Sequence, residues 1–182
     1  TPHSLCSDCM RPRLLDAGNL MQEGEYFIPE VLRSAKAMKG ALEILEPLLA
    51  EGGGALSAGY IVIGTVDGDI HDIGKNLVSM LLKGSGFTIN DLGVSVKTDA
   101  FIDALKEQEG TVLLGMSALI TPTLDEMPVV IKAVEEAGLR DRVKIMVGGA
   151  PVTQEFCDEI GADGTAEDAA AAVSLAKDLL AA

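Results

Sequence analysis

The apolar positions of the chain change period once, and that change divides it. Ile28, Val31, Leu32, Ala35, Met38, Leu42, Leu45 and Leu49 recur at helical spacing and predict one amphipathic helix over 28–49. Pro29 suits its first turn, where a missing N–H removes no helical hydrogen bond. A shorter helical stretch, Arg13 to Gln22, ends at Glu23-Gly24. Two such helices cannot bury both apolar faces alone, so they are expected to dock on a further surface. Residues 51–59 follow, with glycine at 52, 53, 54 and 59, the composition of a flexible linker and a domain boundary.

From Tyr60 onward short apolar runs alternate with amphipathic ones. Strands are predicted at 60–66, 87–91, 111–117 and 143–147, with a short fifth at 162–165. Helices are predicted at 74–85, 98–109, 123–137, 153–160 and 167–181. Such alternation with short loops implies right-handed βαβ units and a parallel sheet. Five strands and five helices in this length fit the α/β flavodoxin-like (Rossmann-like) order 2-1-3-4-5. The expected organisation is a partial helical domain over 1–50, a Gly-rich linker over 51–59 and an α/β domain over 60–182. In this strand order the carboxyl ends of strands 1 and 3 flank one crevice, the usual place for a ligand.

Composition supports the sheet and narrows the partners. Of 182 residues 48% are apolar but only 3% aromatic, with no Trp, so Val, Ile, Leu, Met and Ala must build the core, as in a buried parallel sheet. The formal charge of −14 would repel a phosphate backbone or an anionic bilayer, so neither nucleic acid nor membrane is an expected partner. No apolar run approaches the ~18 residues of a transmembrane helix, and the start carries no basic-then-apolar signal. Three cysteines do not make a disulfide framework, so a reducing cytoplasm is the expected compartment. Cys6 and Cys9 form a C-x-x-C pair with His3 nearby, but a fourth zinc ligand is not in view and no strand precedes the pair. We read it as part of a solvated terminus.

Three predicted loops meet at the crevice. The first, Asp67-Gly68-Asp69-Ile70-His71-Asp72-Ile73-Gly74, holds one of the chain's two histidines, two residues after a carboxylate. That pairing suits a metal ligand and its orienting partner: one ring nitrogen binds the metal and the other donates its N–H to the acid. The second loop is Ser117-Ala118-Leu119-Ile120-Thr121-Pro122-Thr123, and the third Gly148-Gly149-Ala150-Pro151. Singly each has a plain structural reading. Asp67 and Asp69 suit turns, Gly74 close helix–strand packing, Thr121 or Thr123 a helix cap, and Gly148-Gly149 a tight turn. Together on one edge they favour a ligand site. A P-loop fits poorly: Gly68 to Lys75 has five residues between its glycines, Asn76 follows the lysine, and the aspartates repel phosphate. A phospho-receiver site fits poorly too, because strand 3 ends in Ser117 and strand 5 in Gly164-Thr165.

Asp69-x-His71-x-x-Gly74, then 42 residues, Ser117-x-Leu119, 28 residues and Gly148-Gly149 resembles the cobalamin-binding signature D-x-H-x-x-G…S-x-L…G-G. Methionine synthase, corrinoid methyltransferase proteins and cobalamin-dependent mutases share it. Residues 115–127 resemble the methyl-transfer branch most. Tyr26-Phe27-Ile28-Pro29-Glu30 and Ala37-Met38-Lys39 resemble the helical cap that precedes the cobalamin domain there, although the chain has room for about half of that four-helix module. The resemblance covers about residues 20–182 and points to a small corrinoid protein of a methanol, methylamine or methoxyarene methyltransferase system.

That resemblance implies His71 as the lower axial ligand of cobalt, with Asp69 tuning it. It implies a cofactor site of Gly68, Asp69, Ile70, His71, Asp72, Ile73, Gly74, Gly115, Ser117, Leu119, Thr121, Gly148 and Gly149. Ser117 would hydrogen-bond the displaced dimethylbenzimidazole with Thr121 nearby, and the glycines would make room for the nucleotide tail. Phe27, Met38 and Leu42 would shield the upper face. The cofactor would be cobalamin, methylcobalamin or another corrinoid. The protein would be a carrier with no catalytic residue of its own, serving a substrate-specific methyltransferase and an acceptor methyltransferase that uses tetrahydrofolate or coenzyme M, with a reductive activator as a further partner. An adenosylcobalamin mutase subunit and a cobalamin-dependent sensor domain are the alternatives.

Overall fold

The computed structural model of the chain describes residues 9–27, then 29–31, 33, 34, 36–38, 40, 41 and 44, and finally 58–181. Its centre is a five-stranded sheet of β1 (Tyr60–Thr65), β2 (Thr88–Asp91), β3 (Val112–Ser117), β4 (Val143–Gly148) and β5 (Gly164–Thr165). All neighbours are parallel and the order is β2-β1-β3-β4-β5, as the alternating pattern predicts. The helices are α1 (Arg11–Gln22), α2 (Ile73–Gly84), α3 (Thr98–Lys106), α4 (Glu126–Glu136), α5 (Gln154–Glu159) and α6 (Ala169–Ala181). No described helix is long and apolar enough to cross a membrane.

Strand alternation sorts the core into two layers. Ile61 and Ile63 of β1, Leu113 of β3 and Met146 of β4 cluster with Leu81 and Leu82 of α2 and with Ala172, Val173 and Ala176 of α6. Val62, Val112, Leu114, Met116, Ile145 and Val147 face the other way, against Phe101 and Leu105 of α3 and Val130, Ile131 and Val134 of α4. Both sheet faces are therefore covered, which explains why the strands read as nearly unbroken apolar runs.

The predicted helix at 123–137 is split. Thr121–Thr123 forms a 3-10 turn, and α4 starts at Glu126 with Pro128 in its first turn, where helical N–H groups lack partners anyway. It ends at Gly138, whose φ of +68° lets the Leu139 amide bond back to the Val134 carbonyl at 3.0 Å, a turn that favours glycine.

Every described residue from 29 to 44 is helical. Ile28, Leu32, Ala35, Leu42, Leu45 and Leu49, most of the linker (51–57), and His3 and Cys6 lie outside the described residues; Cys9 is exposed. The expected docking of the helical segments is visible where they are described. Val31 and Met38 are buried in the cluster formed by α2, α6 and the sheet. A methyl added at Gly18 of α1 would lie 2.8 Å from Ala170 Cβ of α6. Phe27 is exposed.

Candidate functional site

The register levels the carboxyl ends of three strands: Thr65 pairs with Ser117, and Ser117 with Gly148. The three signature-like loops therefore leave from one edge, and Asp69 ties two of them together. Its side chain is wholly buried. One carboxylate oxygen accepts from the His71 amide at 3.0 Å and meets His71 Nδ1 at 2.7 Å. The other accepts from the Leu119 amide at 2.6 Å, the Ile120 amide at 3.3 Å and the Thr123 hydroxyl at 3.1 Å. Burial works against the charged form, but the bonds from the His71 and Leu119 amides, the His71 ring and the Ile120 amide outweigh it and hold Asp69 well below the usual carboxylate range.

An ionised carboxylate only accepts hydrogen bonds. His71 Nδ1 must then carry a proton, and in the neutral ring the lone pair lies on Nε2. The Thr65 hydroxyl fixes the backbone by donating to the His71 carbonyl at 3.0 Å. The His71 side chain remains 49% exposed, so its outer nitrogen is reachable. That arrangement suits a metal ligand with an acidic orienting partner. Among the described residues no cluster of three or more His, Cys, Asp or Glu could hold a metal ion.

The loops that leave this edge also carry large apolar side chains that stay exposed. Ile70 and Ile73 are 74% and 81% exposed, and Val94, Leu119 and Ile120 are also exposed. Concentrated at one edge, they form an apolar platform of the kind that marks a binding surface.

Beside it a slot of about 580 Å³ runs between the sheet and helices α2 and α6. Ile63, Gly115 and Met146 form its floor, Gly74, Leu77 and Val78 one wall, Ala169 and Ala172 the other, and Met21 of α1 also lines it. Ser117, Gly148 and Gly149 lie at the strand-end side. The size is that of a small-molecule site. A Cβ added to Gly74 or Gly148 would meet nothing within 4 Å, and one on Gly115 would sit 3.0 Å from Ile63 Cγ1. Gly149 is glycine for a different reason. Its φ is +130° and a Cβ would collide with the Ala118 carbonyl oxygen, so backbone packing demands it as well as any ligand.

The remaining expected residues are placed as follows. Gly68 donates its amide to Asp67 Oδ1 at 3.0 Å, and Asp72 accepts from Asn76 at 2.9 Å. Thr121 is exposed, and it is Thr123 that reaches Asp69. Lys75 is buried in the slot wall, 2.6 Å from both Asp91 oxygens and 2.9 Å from Asn76 Oδ1, so it is committed to a carboxylate and no phosphate-binding lysine results. Sequence reasoning missed the grip on Asp69 by Thr123 and the Leu119 and Ile120 amides, the Lys75–Asp91 pair and the slot contact of Met21. The only local signal was Thr123, which reads as a helix cap.

A five-stranded parallel α/β domain with an acid-oriented imidazole and a glycine-lined slot at its carboxyl edge defines a cofactor-binding protein of the B12 type. The chain matches the B12 binding domain family over residues 59–174, and a second family of the same description over 1–46. It is 45% identical over 166 residues to dimethylamine corrinoid protein 1 of Methanosarcina acetivorans, covering 91% of this chain and 78% of that protein. A cobalamin-binding protein from Desulfitobacterium hafniense superposes with a TM-score of 0.82 at 31% identity, over 98% of this chain and 82% of that one. The methanol:cobalamin methyltransferase complex MtaBC from Methanosarcina barkeri gives 0.83 at 31%, over 99% and 68%. The chain belongs to the B12-binding corrinoid proteins of methyltransferase systems, and its cofactor is cobalamin or a related corrinoid.

Proposed function

We propose that this protein carries a methyl group on a bound corrinoid, with His71 as the residue that would ligate its cobalt. The observation that carries the reading is the Asp69–His71 pair: a buried, ionised acid engages Nδ1 while the rest of the ring stays half exposed. The residues fit the group. Gly74 and Gly148 leave the slot open where a side chain would enter it, Ser117 lies at the slot, and Ile70, Ile73, Leu119 and Ile120 offer apolar contact to a flat macrocycle. The bound corrinoid supplies the cobalt that accepts and releases the methyl group. Asp69 fixes the orientation of the imidazole through the contact to Nδ1.

In this reading residues 60–182 hold the cofactor and the N-terminal helical segment is a partial cap. A substrate-specific methyltransferase loads the carrier and a second enzyme unloads it to tetrahydrofolate or coenzyme M. Similarity to a dimethylamine corrinoid protein favours a methylamine as the donor. Two measurements test the proposal. In protein labelled with ¹⁵N-histidine and loaded with cobalamin, the Co(II) electron paramagnetic spectrum is expected to show a doublet superhyperfine pattern, and His71→Ala to lose it. A ¹⁴N triplet in labelled wild type would mean that the cofactor's own base holds cobalt. Methyl transfer from dimethylamine through its methyltransferase tests the donor, and failure with every methylamine excludes it.

A further inference from the structure

We propose that Ser95, which lies outside the three signature-like loops, is the positioning residue that sets the His71 loop for ligation; this rests on reading His71 as the cobalt ligand. After β2 the chain bulges and then returns to run parallel beside the end of β1. The Thr65 amide bonds the Gly93 carbonyl at 3.0 Å, the Val96 amide bonds the Thr65 carbonyl at 2.9 Å, and Val66 bridges Val96. Ser95 lies within this return, and among the described residues it alone is a non-glycine at positive φ, +48°. From there it grips three consecutive residues. Its amide donates to the Asp69 carbonyl at 2.9 Å. Its hydroxyl donates to Asp67 Oδ1 at 2.8 Å and accepts from the Gly68 amide at 3.1 Å.

Asp69 is thereby held from both ends. Leu119, Ile120 and Thr123 fix its carboxylate, while Ser95 fixes its carbonyl, and His71 follows two residues on. A left-handed serine is uncommon, and such conformations persist where the surroundings over-determine them. The contact also acts on charge: the Ser95 hydroxyl is the foremost reason that Asp67 is held below its usual carboxylate range. The position needs a group that accepts from Gly68 and donates to Asp67. A hydroxyl or a carboxamide does both. A carboxylate cannot donate and would face Asp67 with a like charge.

The test uses the full chain loaded with cobalamin, labelled with ¹⁵N-histidine and reduced to Co(II). Ser95→Gly accepts the positive φ but deletes the hydroxyl. Its apoprotein should melt within about 3 °C of wild type, while the ¹⁵N doublet weakens and the cofactor dissociates about tenfold faster. Ser95→Asn, which tolerates the left-handed region, should restore the doublet, and Ser95→Asp should not. A Ser95→Gly protein with the wild-type doublet and dissociation rate overturns the proposal. So does equal recovery by Ser95→Asp, or a loss of ligation that only follows a melting drop above about 10 °C and is not restored by Ser95→Asn. A ¹⁴N triplet in labelled wild type defeats the His71 reading itself, and the proposal with it.

Discussion

Asp69→Asn leaves the side-chain shape almost unchanged, yet the hydrogen-bond geometry predicts that it disrupts the site. Asp69 accepts from four N–H groups, the His71 amide and ring on one oxygen and the Leu119 and Ile120 amides on the other, and shares the Thr123 hydroxyl with the Ile120 carbonyl. A carboxamide keeps one acceptor and turns the other into a donor. If its NH2 faces Leu119 and Ile120, donors meet donors in a buried space. If it faces His71, it opposes the His71 amide, and ring Nδ1 must become an acceptor, which moves the imidazole proton to Nε2, the nitrogen proposed to bind cobalt. Either rotamer loses at least two charge-assisted bonds at about 1.5–3 kcal/mol each, or about 3–6 kcal/mol. That is a large share of the roughly 5–15 kcal/mol that holds a domain folded. Urea unfolding of the apoprotein reads the first loss, and the ¹⁵N-histidine spectrum of the loaded protein reads the second. An Asp69→Asn protein that unfolds within about 1 kcal/mol of wild type and keeps the full doublet would refute this account.

Acid should expose the same carboxylate. Its folded pKa lies below the unfolded value, so its contribution is complete above about pH 4 and is lost as pH falls toward the folded value. Urea midpoints between about pH 4 and pH 2 should therefore fall more steeply for wild type than for Asp69→Asn; parallel curves would count against it. The paired glycines should separate two roles. Gly148→Leu, with open space at its Cβ, should leave the apo fold intact and weaken cobalamin binding by about 10- to 100-fold through overpacking the slot. Gly149→Ala, which collides with Ala118, should destabilise the apoprotein by about 2 kcal/mol or more, and equal melting of the two variants would contradict this. The Lys75–Asp91 pair should respond asymmetrically, because the Lys75 side chain is 2% exposed and that of Asp91 27%. Asp91→Asn strands a buried ammonium and should cost about 2–3 kcal/mol, whereas Lys75→Met should be nearly neutral in thermal melts.

Much of this protein was legible in one dimension because its determinants are periodic or local. Apolar runs of strand length alternating with amphipathic stretches dictate the parallel sheet and its order, since buried strands and one-sided helices have few ways to pack. Asp69 and His71 are two residues apart, so their pairing needs only a turn. Element ends were less legible: the predicted helix at 123–137 broke where Pro122 and Pro128 reset the backbone, and α3 ended three residues early. What only the tertiary structure decided are contacts across long separations. Asp69 meets Leu119, Ile120 and Thr123 some fifty residues away, and Ser95 meets Asp67 across 28. Lys75 finds Asp91 because β1 and β2 are neighbours. The two adjacent glycines look alike in sequence, and only folding shows one open to a slot and the other pressed on a carbonyl. Sequence sets which groups can bond; the packing of strands sets which of them are brought within reach.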